Sequence, residues 1–137
     1  MADINRDGKL DILSACTSGT VAVLLGKGDG TFVNGTSIAL PADNQTNLQI
    51  ADLNGDGKLD LATVTADNTG NQTLNIALGN GDGTFQPPIA IPAGQVPNGS
   101  ALLSVADFNH DGLLDFAISG SINQPSQGQI LLQSSSK

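Results

Sequence analysis

One nine-residue pattern occurs three times without a gap. Asp3 to Asp11 reads DINRDGKLD, Asp52 to Asp60 reads DLNGDGKLD, and Asp107 to Asp115 reads DFNHDGLLD. Each is preceded by Ala (Ala2, Ala51, Ala106), and the starts lie 49 and 55 residues apart. A repeat at such a period is one supersecondary unit that must bury its apolar face against its neighbours. A second motif alternates with the first. Leu25 to Phe32 reads LGKGDGTF, and Leu78 to Phe85 reads LGNGDGTF, 53 residues later. Where a third copy is due, after Ile130–Leu132, the chain instead runs through a Ser-rich stretch to Lys137.

Short apolar segments fill the intervals. Leu10–Cys16, Leu59–Val64 and Leu114–Ser119 follow the Asp loops. Val21–Leu25, Leu74–Leu78 and Ile130–Leu132 precede the GDGTF motif or its expected place, and Phe32–Leu40 and Phe85–Ile91 follow it. Leu48–Ala51 and Ala101–Ala106 precede the second and third Asp loops. Runs of this length, bounded by Gly, Asn, Asp or Pro, predict strands. Each full repeat then holds four strands, A to D. The Asp loop joins A to B, and the Gly-rich turn joins C to D as a tight hairpin. Four antiparallel strands per repeat of about 50 residues is the arithmetic of a β-propeller blade. The prediction is an all-β single domain of about two and a half blades. Residues 1–45 form a blade lacking strand A, 46–97 a complete blade, 98–133 a blade lacking strand D, and 134–137 a tail. Such a piece exposes sheet edges. It is expected either to belong to a longer protein or to complete its blades as a homo-oligomer.

Composition narrows the class. All 13 acidic residues are Asp against five basic ones, a net charge of −8, and Glu is absent. Gly, Asn, Ser, Thr, Asp and Pro make up 69 of 137 residues, so strong helix formers are too scarce for a bundle. Five cations cannot track a phosphate backbone, so no nucleic-acid partner is expected. No apolar run reaches the ~18–20 residues of a membrane span. Met1 and Ala2 are followed by Asp3, not by a positively charged and then an apolar region, so we expect no signal peptide in this chain. Cys16 is alone, and a small domain without a disulfide needs another staple. The mean hydropathy of +0.01 and the clustered Val, Ile and Leu argue against disorder.

The Asp loops suggest the staple. D-x-N-x-D-G-x-x-D puts side-chain oxygens at positions 1, 3, 5 and 9. These are Asp3, Asn5, Asp7 and Asp11, then Asp52, Asn54, Asp56 and Asp60, then Asp107, Asn109, Asp111 and Asp115. Position 6 is Gly8, Gly57 or Gly112, where the backbone turns sharply. Position 7 is Lys9, Lys58 or Leu113, a change of chemistry expected if only its carbonyl binds. Three carboxylates, an amide oxygen and a carbonyl make the all-oxygen shell that Ca²⁺ prefers, and no His or Cys is present to favour zinc or copper. The loop is not an EF-hand, since position 12 is Ser14, Thr63 or Ile118 rather than Glu. We expect three Ca²⁺ per chain, each pinning an A–B connection. Nine of the 13 Asp lie in these loops, and three divalent ions would bring the charge from −8 to about −2.

With these residues in view, the chain resembles the FG-GAP/VCBS repeats, related to the blades of integrin α-subunit propellers. The resemblance covers nearly the whole sequence. It implies a calcium-stapled propeller, extracellular or at the cell surface, used for adhesion or recognition of a protein or glycan ligand. The twelve oxygen-bearing side chains match the family's calcium ligands position by position. Only one complete blade is present, and no Phe-Gly or Gly-Ala-Pro sequence survives.

Other features have simpler readings. His110 occupies position 4, which is expected to face solvent, so it is not read as catalytic. Gly26–Gly30 and Gly79–Gly83 are followed by strands, not by the helix a nucleotide loop requires. Phe32, Phe85, Phe108 and Phe116 are expected to pack between sheets, and Cys16 to be a buried strand residue. Asn34, Asn44, Asn71 and Asn98 head N-x-S/T sequons, little above chance in such a chain. One His and no Glu or Tyr offer poor material for a propeller-type carbohydrate-active enzyme. The lack of Trp and Tyr likewise removes the usual sugar platforms of a lectin. No enzymatic activity is expected.

Overall fold

The computed structural model describes residues 1–16, 19–40, 44–67, 69–95, 102–119 and 128–133. The expected tail at 134–137 and the blade boundary at 97 and 98 lie outside them. The described strands form three antiparallel sheets, one for each Asp loop. The first contains β1 (Ile12–Cys16), β2 (Thr20–Gly26), β3 (Phe32–Asn34) and β4 (Ile38–Ala39). The second contains β5 (Asn44–Ala51), β6 (Asp60–Ala66), β7 (Asn71–Ala77) and β8 (Ile89–Gln95). The third contains β9 (Leu102–Ala106), β10 (Asp115–Ser119) and β11 (Gly128–Leu131). The second sheet runs β5-β6-β7-β8 and the third runs β11-β10-β9, the meander expected of blades. Among the described residues no helix is long and apolar enough to cross a membrane.

Both outer strands differ from the expectation, for local reasons. Phe32–Leu40 was expected to be one strand, but it pairs with β2 in two pieces, β3 and β4. Gly35 lies between them. Its N–H reaches the Val23 carbonyl at 2.8 Å, and a Cβ there would come within 2.9 Å of the Val23 side chain. In the second repeat the outer strand starts at Ile89, not Phe85. Pro87 and Pro88 have no N–H to give the ladder, so Phe85 makes only an isolated bridge to Gly79. Pro92 is tolerated inside β8 because its partner lies on one side only, and the pairing slips between Asn71 and Thr73.

Two apolar cores lie between the sheets. Ile4, Val21, Val23 and Ile38 of the first repeat meet Leu61 and Ala77 of the second. Leu53, Ala62, Val64, Leu74 and Ala93 of the second meet Leu103, Phe116 and Ile118 of the third. Alternation along β6 sends Leu61 to one core and Ala62 and Val64 to the other. The middle sheet is thus buried on both faces. Fully burying Leu61, Val64 and Leu74 contributes roughly 1.5–3 kcal/mol each. Phe116 packs as expected, but Phe108 is 43% exposed. Its counterparts at loop position 2, Ile4 and Leu53, are covered by the next sheet, and among the described residues no sheet covers Phe108. Cys16 is half-buried rather than buried.

Two turns carry specific chemistry. Gly26, the last residue of β2, and Gly79, two residues past β7, lie against the loop backbone, where a Cβ would fall 2.1 Å from the Leu10 or Leu59 carbonyl oxygen. Between β6 and β7, Asp67 Oδ1 accepts from the Thr69 N–H (2.8 Å), the Thr69 hydroxyl (2.7 Å) and the Asn71 N–H (2.9 Å). The Asn71 side-chain amide donates to Asp67 Oδ2 at 2.8 Å. The Thr69 hydroxyl, then the Asn71 amide, hold the Asp67 carboxyl well below the usual carboxylate range.

Gly79→Ala is expected to destabilise the fold by about 2–3 kcal/mol or more, read by urea denaturation, because the obstructing atom is backbone. The depressed Asp67 carboxyl stabilises the folded state above its ordinary titration range, and that contribution is lost as pH falls through the lowered folded value. Thr69→Val should raise the Asp67 titration midpoint, observable by carboxyl ¹³C NMR. An unmoved midpoint would contradict the assignment.

Candidate metal centre

The three Asp loops share one backbone path. Position 4 takes a positive φ in each: 62° at Arg6, 74° at Gly55 and 60° at His110. Position 6 does the same at Gly8 (83°), Gly57 (79°) and Gly112 (87°). Glycine adopts this conformation freely, whereas Arg6 and His110 pay roughly 1–2 kcal/mol for it.

Positions 1, 3 and 5 come together on these turns. In the first loop Asp3 Oδ1 and Asn5 Oδ1 both accept the Asp7 N–H, at 3.1 and 3.2 Å. Asp3 Oδ2 accepts the Gly8 N–H at 2.9 Å, and Asp7 Oδ1 accepts the Lys9 N–H at 3.0 Å. Asp52, Asn54 and Asp56 repeat this pattern at 2.8–3.1 Å. So do Asp107, Asn109 and Asp111 at 2.9–3.1 Å. In the first two loops the position-7 lysine also returns to position 5. Lys9 Nζ lies 3.1 Å from Asp7 Oδ2, and Lys58 Nζ lies 2.9 Å from Asp56 Oδ2. The lysine hydrogen bond is the main cause holding the Asp7 and Asp56 carboxyls below their ordinary value.

Position 9 has a different place. Asp11, Asp60 and Asp115 are completely buried. In each, Oδ2 accepts the position-2 N–H of its own loop at 2.9 Å: Ile4, Leu53 or Phe108. Oδ1 accepts an N–H at the end of β2 or two residues past β7 or β11: Gly26 (2.8 Å), Gly79 (2.8 Å) or Gln133 (2.9 Å). This carboxylate ties the start of the loop to the C–D turn. Among the described residues no three carboxylate, imidazole or thiol side chains converge at metal-holding distance. The donor set still suits a hard cation: every side-chain donor is oxygen, the three are repeated, and a lysine ammonium already sits on two of the position-5 carboxylates. Among the described residues each buried carboxylate oxygen accepts one backbone N–H and has a second lone pair to offer.

Three participants were not legible in the repeat. Arg6 is exposed at position 4, as expected, yet its guanidinium donates to the Gly57 carbonyl, joining the first loop to the second. Gln49 Nε2 reaches the Leu103 carbonyl at 3.2 Å, joining the second and third sheets. Gln133 stands where the other repeats have Gly26 and Gly79. With its NH₂ turned inward, its side chain donates to the Leu53 and Leu114 carbonyls at 3.2 Å. These pairs lie far apart in sequence, and the only advance signal was that Gln133 breaks the Gly pattern.

The two roles can be separated by mutation without metal. In chelator, Asp60→Ala leaves two buried N–H groups without acceptors and should cost about 2–5 kcal/mol. Asp52→Ala, which opens an exposed turn, should cost distinctly less under the same conditions. Equal losses in chemical denaturation would contradict the buried role.

Comparison with known proteins agrees with the repeat. A family model described as FG-GAP-like repeat matches residues 3–63 and 52–118. No curated protein and no solved structure matches the chain significantly. The matched segments begin at the first ligand-pattern Asp of two successive loops and together span most of the sequence. The chain belongs to the FG-GAP-like repeat family.

Proposed function

We propose that this chain is a calcium-binding β-propeller repeat module that serves adhesion or ligand recognition in an extracellular or cell-surface protein. The observation that carries the reading is the threefold D-x-N-x-D-G-x-x-D loop, which leads into β1, β6 and β10 of three successive sheets. Asp3, Asn5, Asp7, the Lys9 carbonyl and Asp11 would hold the first ion. The second would be held by Asp52, Asn54, Asp56, the Lys58 carbonyl and Asp60. The third would be held by Asp107, Asn109, Asp111, the Leu113 carbonyl and Asp115. Bound calcium would supply positive charge at a turn that otherwise concentrates carboxylates. Its role is structural, and we read the module as a scaffold without catalysis: the chain has one His and no Glu or Tyr.

A second reading is self-assembly, and the open sheet edges favour it. Among the described strands β1 pairs only with β2, the Ala2–Asp11 bridge lying just before it, and β11 pairs only with β10. Leu102, Ile130 and Leu132 are exposed on the third sheet. Open edges invite another strand, and a second copy of the chain would supply one. Light scattering in calcium distinguishes a monomer from an oligomer.

Native mass spectrometry should find three Ca²⁺ per chain, and the melting temperature should fall on adding EDTA. Stabilisation by binding follows RT ln(1 + [L]/Kd) per site, about 2.7 kcal/mol at a hundredfold excess over Kd. An unchanged melting temperature in EDTA, with no ion retained, would overturn the calcium reading.

A further inference from the structure

The three loops differ in charge at the position that follows the sharp glycine turn. Position 7 is Lys9, Lys58 and Leu113. In the first two loops the lysine closes on the position-5 carboxylate from both ends. Its N–H reaches Oδ1 at 3.0 and 2.9 Å, and its ammonium reaches Oδ2 at 3.1 and 2.9 Å. In the third loop the Leu113 N–H makes the first bond at 2.9 Å, and Asp111 Oδ2 instead receives the neutral Asn109 amide at 3.0 Å.

The lysine stems are guided. A Cβ added at Gly28 would lie 3.2 Å from the Lys9 chain, and one at Gly81 would lie 3.1 Å from the Lys58 chain. Each stem crosses a glycine of the Gly-rich turn of its own blade. The pairing holds within the sequence. Repeats one and two have lysine at position 7 and glycine at this turn position, whereas repeat three has Leu113 at position 7. The charge of the loops follows the same order. Asp3, Asp7 and Asp11 with Arg6 and Lys9 give −1; the second loop's three Asp with Lys58 alone give −2; the third loop's three Asp give −3.

We infer that Lys9 and Lys58 are tethered cations that compete with a divalent ion for the position-5 carboxylates, so that the third loop binds first and most tightly. The inference rests on the calcium reading of the loops and adds an order of loading to it. An ammonium that must leave the carboxylate costs the weight of an exposed ion pair, and once displaced it still repels a dication nearby. Together these weaken each of the first two sites by roughly 3- to 10-fold relative to its lysine-free form.

Calorimetric titration of the full chain with Ca²⁺ at low ionic strength tests this. The wild type should show one tight site and two weaker ones, and Asp111→Asn should remove the tight class. Lys9→Met with Lys58→Met should tighten the two weaker sites by about 3- to 10-fold. Lys58→Arg, which keeps the charge, should leave its site weak. Leu113→Lys should weaken the tight site by a similar factor. Circular dichroism in chelator confirms that these surface variants fold. Three sites that ignore the lysine substitutions, or a tight site that survives Leu113→Lys, would overturn this inference while leaving the calcium reading intact. No binding by any chain would overturn both.

Discussion

A completely buried carboxylate is the contact around which each repeat is arranged. Asp11, Asp60 and Asp115 each bridge an N–H of their loop and an N–H at the end of β2 or two residues past β7 or β11. Burying a charge is costly unless its oxygens are satisfied, and here both are. The geometry explains neighbouring residues. Gly26 and Gly79 can bring their N–H to the carboxylate only because no Cβ meets the adjacent loop carbonyl. Position 2 supplies the other N–H and sends Ile4 or Leu53 into the core beside it. In the first two blades the loop, its glycine partner and the first apolar contact are therefore one unit.

The sheets are joined by two kinds of contact. Apolar cores on both faces of the middle sheet carry most of the burial. Polar links from Arg6, Gln49 and Gln133 reach backbone carbonyls of the adjacent repeat and so fix its position. The middle repeat, covered on both sides, shows what a blade looks like when its neighbours are present. The third repeat shows the contrast, since the same loop position that is buried in Ile4 and Leu53 is open in Phe108.

Much of this was legible in the sequence because it is local and periodic. The strands follow short β-branched runs between turn residues, and the three loops align without gaps. The departures depend on longer-range facts. Pro87 and Pro88 delay β8, and the close approach of Gly35 to Val23 divides the first outer strand. Position 9 was read as the last member of an oxygen shell, and spacing alone could not show that its oxygens meet N–H groups seven residues back and 15 to 19 residues on. Position 7 was read for its carbonyl, and only the folded chain brings its ammonium to Asp7 or Asp56. The Arg6–Gly57 link spans 51 residues, beyond any local pattern.

The central claim is that three repeated loops are cation sites built beside three buried carboxylate ties. The most direct measurement is an anomalous difference map from crystals grown in calcium, collected at long wavelength. The account predicts one peak within each loop, among the oxygens of positions 1, 3, 5, 7 and 9, with Lys9 and Lys58 drawn away from Asp7 and Asp56. A map without peaks at the loops, with both lysines still on their carboxylates, would contradict it.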